Sequence, residues 1–252
     1  MSASALFLNP GGPDPSGEES PSGESPENAQ PGGGFSVAEC TAYTESARLL
    51  AEQLVGAEVD RVAFARRLKR CELERCRATC CHDGVVLGAD EVRGIRDLVT
   101  REAARLRGYG WGTPPDRRLF RDEVGGRVKT ATRPAAAHEL AEDFPPHFPK
   151  TRCVFLDSGH RCVLQRLSVD AGRHPWFWKP LSCWMHPLVL RPAGSGRARP
   201  LLTVPAPAED PEQFGSCTHC GHFDSSGEAV SRVLVAELRM LESLSGRRFD
   251  LL

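Results

Sequence analysis

Residues 71–84 read CELERCRATCCHDG, which places four of the chain's ten cysteines within eleven positions, two of them adjacent. No other stretch narrows the fold as much. Four thiols this close are cross-linked, metal-bound or buried as small apolar side chains, and burial by itself does not account for their clustering. The compartment and the other cysteines decide between these readings.

The opening residues, MSASALFLNPGG, lack the charged start and apolar run of a signal peptide. No window holds the roughly 18 apolar residues that a membrane span requires. A cytoplasmic, reduced protein is therefore expected, in which cysteines serve more often as metal ligands or reactive thiols than as a disulfide framework. The formal net charge is −1, and the basic residues are dispersed apart from short runs such as residues 61–70. Neither nucleic acid nor a membrane is expected as a partner, and the sequence names no protein partner. A chain of 252 residues, 40% hydrophobic and 26% charged, has globular proportions and can bury a core without staples.

Residues 1–34 are almost entirely Gly, Pro, Ser, Glu and Asn, and are expected to form a disordered tail. Residues 35–252 are expected to form a single cysteine-cluster metal-binding domain. Apolar residues at three-to-four spacing predict helix over residues 36–70, split near Gly56, and again over 90–107 with Asp90 as N-cap and Gly108 as stop. Ser225 and Glu228 form a capping-box pattern opening a helix over 225–246. Between them lie a hairpin around Gly125-Gly126 and a proline-rich FPPHFPK segment. A second hairpin is expected with arms Val154 to Leu156 and Cys162 to Leu164, followed by short strands at 187–190 and 201–204. The fold class is α+β: N-terminal and C-terminal helices around short strands and loops organised by a cysteine-rich metal centre.

Cys40 reads as a core residue on an ordinary helix. Nine cysteines remain as candidate metal ligands: Cys71, Cys76, Cys80, Cys81, Cys153, Cys162, Cys183, Cys217 and Cys220. Cys153 and Cys162 flank the expected second hairpin, and Cys183 lies in a turn framed by Pro180 and Pro187. The segment from Cys217 to Gly221 has the form of a metal knuckle, with the glycine supplying a positive φ. On a helix Cys76 and Cys80 would converge. Cys80 and Cys81 would diverge by roughly 100°, so the backbone breaks, with Gly84 permitting it, or the two serve different ions, or one bridges. Thiolates select zinc, Fe–S clusters or Cu(I) over hard cations. The spacing C-x4-C-x3-C-C is neither the bacterial ferredoxin pattern nor the radical-SAM loop, which leaves zinc and iron, mononuclear or clustered, as the expected metals.

His82, His186, His219 and His222 each stand near a cysteine, although a lone histidine is more often structural. Trp176, Trp178 and Trp184 either shield the metal site or pack the core. No nucleophile elbow, P-loop or dinucleotide-binding glycine pattern occurs, and the catalytic alternative within the cluster is a cysteine nucleophile assisted by His82 or His186.

The ordered run Cys71, Cys76, Cys80, Cys81, then Cys153-Val-Phe-Leu, Arg161-Cys162-Val-Leu and Lys179-Pro-Leu-Ser-Cys183-Trp-Met-His-Pro187, with Glu91 and Ile95 between, resembles the YkgJ-type cysteine-cluster domain. It is most similar to an uncharacterised bacterial branch of that group. The resemblance covers about half the chain. It departs at His186, where the family usually has an aromatic residue, and at His82-Asp83-Gly84. It implies chelation of zinc or iron, and little else. A related cluster occurs in flagellin lysine N-methylases, which makes an iron- or Fe–S-dependent methyltransferase or oxidoreductase the alternative to a metal-binding protein. A metallochaperone or interaction module is a third reading.

Overall fold

Tyr43, Ala47, Leu50 and Leu54 recur at helical spacing and face inward, while Leu49 is 47% exposed. That stripe defines the first long helix in a computed structural model that describes residues 37–112, 118–122, 126–194, 196–210 and 213–251. The expected tail at residues 1–34 and Gly125 of the first expected hairpin lie outside these residues.

Among the described residues the helices are α1 (Val37–Cys40), α2 (Thr44–Val55), α3 (Arg61–Ala65), α4 (Leu73–Cys76), α5 (Ala89–Arg101), α6 (Ala103–Gly108), α7 (Val163–Asp170), α8 (Leu181–Met185), α9 (Val230–Val233) and α10 (Val235–Ser245). The strands are β1 (Glu58–Val59), β2 (Arg67–Leu68), β3 (Val86–Leu87), β4 (Phe120–Asp122), β5 (Val128–Thr130), β6 (Thr132–Pro134), β7 (Thr151–Cys153), β8 (Val189–Arg191), β9 (Leu201–Thr203) and β10 (Glu228–Ala229). They form four small sheets: β1-β9-β8 with β1 parallel to β9, β10-β2, β3-β5-β4 and β6-β7. The architecture is α+β. Strands of two or three residues cannot hold a sheet by themselves, so packing and side-chain bonds must fix them. One apolar core supplies the packing, running from Tyr43 and Leu54 through Ile95, Leu98, Phe155, Leu164, Leu167 and Leu202 to Leu238 and Leu241. No described helix is long and apolar enough to cross a membrane.

Several expected boundaries shift, each for a local reason. The 36–70 helix is broken not only near Gly56 but again at β1 and β2, with Asp60 capping α3 through the Ala63 N–H at 3.0 Å. Asp90 does not cap its own helix. Its carboxylate accepts the N–H groups of Glu45 and Ser46, capping α2 from outside, while Glu91 accepts the Gly88 N–H at 2.7 Å. The 225–246 helix starts at Val230, because Glu228 and Ala229 pair with β2 instead. The hairpin of β4 and β5 stands where expected, with Gly126 at φ +74°.

The second expected hairpin does not form: Val154 and Phe155 of its first arm lie in a turn after β7, which pairs with β6 instead. Leu156 and Cys162 form an antiparallel bridge, but the second arm is α7. Val163, Leu164, Leu167 and Ser168 are all buried at i, i+1, i+4 and i+5, which is helical and not alternating. Pro180 then precedes α8, where a turn was expected, and a cis His186–Pro187 peptide leads into β8.

Candidate metal centre

All ten cysteines are free thiols. Cys40 is 3% exposed in the apolar core, where burial first, and then Glu39, push its thiol up to about 11. The other nine come from five separated segments.

The break expected near Cys80 falls earlier. α4 ends at Cys76, and Arg77 and Ala78 both adopt the left-handed conformation, at φ +45° and +55°. Cys80 and Cys81 then lie in a 3-10 turn over Thr79–Cys81, so Cys76 and Cys80 do not share a helix. The reversal turns the Ala78 N–H onto the Cys76 sulfur, two residues back. The same arrangement recurs at Cys153, whose sulfur receives the Phe155 N–H. Such amides stabilise a thiolate by hydrogen bonding to its charged form, and they are the donors that a metal knuckle aims at its sulfurs. Gly84 serves a different purpose: at φ +68°, a Cβ there would lie 2.3 Å from the Thr130 carbonyl oxygen.

Two groups of sulfurs result. In the first, the Cys71 and Cys76 sulfurs are 3.9 Å apart, and Cys71 also hydrogen-bonds Cys220. A tetrahedral site with metal–sulfur bonds of about 2.3 Å sets its sulfurs roughly 3.8 Å apart, whereas a disulfide needs about 2.05 Å. In the second, Cys81 lies within electrostatic reach of Cys183 and Cys153, Cys183 of Cys162 and Cys153, and Cys153 of Cys162. Cys80 lies between the groups, hydrogen-bonded to Cys81 and acting on Cys71, Cys76 and Cys183.

Local structure explains these positions. Cys153 ends β7, and Cys162 immediately precedes α7. The turn joining them is built on Asp157, whose carboxylate accepts from the Gly159 and Arg161 N–H groups and pairs with Arg166 at 2.6 Å. Cys183 rides on α8, whose first N–H, at Leu181, donates to Glu91 at 2.8 Å. Glu91 is 3% exposed and thereby ties the α5 that follows the first cysteine cluster to the helix that carries Cys183. In the Cys217–Cys220 knuckle, Gly221 has no positive φ. It is required instead by contact, since a Cβ would sit 1.9 Å from the Gly215 carbonyl oxygen.

The crowding of the thiols shows in their electrostatics. The thiols of Cys71, Cys76, Cys81, Cys153 and Cys183 are all pushed up: Cys71 first by its hydrogen bond to Cys220, Cys76 by that to Cys71, Cys81 by that to Cys80, and Cys153 and Cys183 by burial. Cys80 alone is pushed down, to about 6, by the hydrogen bond from Cys81, with His186 and Lys179 adding positive charge against its burial. Burial opposes the charge of Lys179, but Cys162, Cys183, Cys81 and Cys80 outweigh it and raise its pKa. The Lys179 ammonium donates to the Gln165 side-chain carbonyl at 2.7 Å. A metal ion would relieve the crowding by taking the thiols as thiolates and releasing their protons.

The histidines divide. His82 stacks on Phe148 at 3.8 Å, and its Nδ1 faces the Thr79 carbonyl oxygen. His222 is exposed. His186 Nε2 lies 2.9 Å from Thr218 Oγ1, and because that hydroxyl donates to the Gly215 carbonyl oxygen, the imidazole N–H is the donor between them. His219 has a side chain 7% exposed, and its Nε2 has no hydrogen-bond partner. Trp176 and Trp184 stack at 5.0 Å beside Cys183, covering α8. Spacing marked the cysteines. It did not mark Lys179, Thr218 or the bridging role of Glu91, whose only signal was a charged or polar residue in a segment otherwise set for burial.

Among the described residues, no three Cys, His, Asp or Glu side chains close around a single point at coordination distance. The chemistry of the thiols fits a soft or borderline metal. No protein-family model, curated protein or solved structure matches the chain.

Proposed function

We propose that the chain is a metal-binding protein of the YkgJ-type cysteine-cluster kind, holding zinc or iron on thiolates from Cys71, Cys76, Cys80, Cys81, Cys153, Cys162, Cys183, Cys217 and Cys220. The observation that carries this reading is the mutual approach of sulfurs from segments as far apart as Cys71 and Cys220. Amides aimed at Cys76 and Cys153 support it, as does the orphaned imidazole nitrogen of His219. A change of χ1 rotamer moves a cysteine sulfur without moving the backbone, so the converging thiols need no refolding to close on an ion.

Bound metal would supply the rigidity that two- and three-residue strands lack. Structural zinc contributes an apparent 10–16 kcal/mol in finger peptides, roughly the whole stability of a domain. The test is elemental analysis and visible absorption after anaerobic purification, followed by chelation during thermal unfolding. Stoichiometric zinc or iron is expected, with the midpoint falling when the metal is removed. Absorption in the visible would identify iron, and a colourless, fully occupied protein zinc. A protein that carries no metal and whose midpoint ignores the chelator would contradict the proposal.

A further inference from the structure

We propose that Cys71 and Cys76 are a thiol–disulfide redox couple, which a low-molecular-weight disulfide such as oxidised glutathione converts to an intramolecular disulfide by way of Cys71. The inference goes beyond the metal-binding reading above and stands whether or not these thiols hold metal.

Access and distance single out this pair. Of the ten cysteines only Cys71 is exposed, whereas Cys76, 5% exposed, is closed to a reagent in solution. Their sulfurs are 3.9 Å apart, close to contact. A disulfide needs about 2.05 Å. Cys76 is fixed at the end of α4, its N–H donating to the Glu72 carbonyl oxygen at 2.9 Å. Cys71 belongs to no helix or strand, so its side chain and the chain before α4 can close the remaining gap without breaking an element. The adjacent pair Cys80-Cys81 lacks this freedom, because a disulfide there closes a small ring around one peptide bond and works against its planar trans geometry. Cys220, which also bonds Cys71, is the rival partner.

Exchange begins at Cys71. Its sulfur, as thiolate, attacks one sulfur of glutathione disulfide, the S–S bond breaks, and one glutathione leaves and takes up the proton that Cys71 gave up. The Cys76 sulfur then attacks Cys71 in this mixed disulfide, and the second glutathione leaves with the proton of Cys76. The pair loses two electrons and two protons, and the glutathione disulfide gains them. Both thiols are pushed up, Cys71 first by its hydrogen bond to Cys220 and Cys76 by that to Cys71, so exchange is slow near neutral pH. The same crowding leaves the reduced pair without a stabilised thiolate, which favours the disulfide at equilibrium.

The full chain, purified anaerobically, is equilibrated in mixtures of oxidised and reduced glutathione, quenched with acid, and alkylated after denaturation. Trypsin cuts after Arg75 and Arg77, so the expected disulfide joins peptides 71–75 and 76–77, while residues 80 and 81 stay together in peptide 78–93. That linked pair should be the first disulfide to appear, and reduction should reverse it. Cys76→Ser should instead hold one glutathione on Cys71, and Cys71→Ser should abolish both products. The wild-type peptide map depends on neither variant's folding. Cys71 joined to the peptide that ends at Arg232, which carries Cys220, would overturn the pairing, as would glutathione that stays on Cys71 of the wild type. A mixture that oxidises other cysteines first would overturn the couple. Metal counted on the same samples separates the two readings: metal without the linked pair overturns the couple alone, and the linked pair in a chain that carries no metal supports the couple and sinks the metal-binding reading.

Discussion

Gly221 shows how a single residue can be right for a reason that the sequence does not display. A glycine after the second knuckle cysteine reads as a positive-φ position, yet its φ is ordinary, and the constraint is the Gly215 carbonyl oxygen 1.9 Å from where a Cβ would be. Gly221→Ala is expected to destabilise the chain by about 1–3 kcal/mol, the usual penalty of overpacking. Urea unfolding would measure it, and a midpoint equal to wild type would mean that the turn relaxes around the methyl group. Arg77 and Ala78 present the opposite case. Two consecutive left-handed residues without glycine carry no signal in composition, so helical spacing let Cys76 and Cys80 converge and offered a break only at Cys80-Cys81, as one of three alternatives. Such conformations are costly unless the surroundings fix them. Here Arg77 donates to the carbonyl oxygens of His138 and Leu140, and the Thr79 hydroxyl to that of Cys76 at 2.6 Å.

At the scale of elements, long periodic stretches were legible and short ones were not. α2, α5 and α10 show apolar stripes long enough to be read from spacing, and each buries the stripe. The run from Cys162 to Leu164 is too short to distinguish strand from helix by periodicity, and the core decided it by taking Val163, Leu164 and Leu167 together. Asp157 makes that switch from strand to helix workable. Burial opposes its ionisation, but the Arg161 N–H and the Arg166 and Arg161 guanidinium groups hold its carboxyl below the usual range. Asp157→Ala removes the buried carboxylate on which the turn is built, while Arg161 and Arg166, 45% and 27% exposed, can turn to water. It is expected to cost about 1–3 kcal/mol. Chemical denaturation with circular dichroism checks this. A loss under 1 kcal/mol would show that the turn between Cys153 and Cys162 is set by packing. The capping pattern at Ser225 and Glu228 misled in a similar way, because tertiary pairing of β10 with β2 claimed the residues that a free helix would have used.

Over the whole molecule, thiols from distant segments interact, as Cys71 and Cys220 do across nearly 150 positions. No periodicity encodes such a contact. The central claim is that these thiols hold metal. Native mass spectrometry of the intact chain, purified anaerobically and without added metal, tests it most directly. The account predicts a mass above that of the polypeptide by whole zinc or iron ions, with the excess removed when the protein is denatured. A native mass equal to that of the bare polypeptide would contradict it.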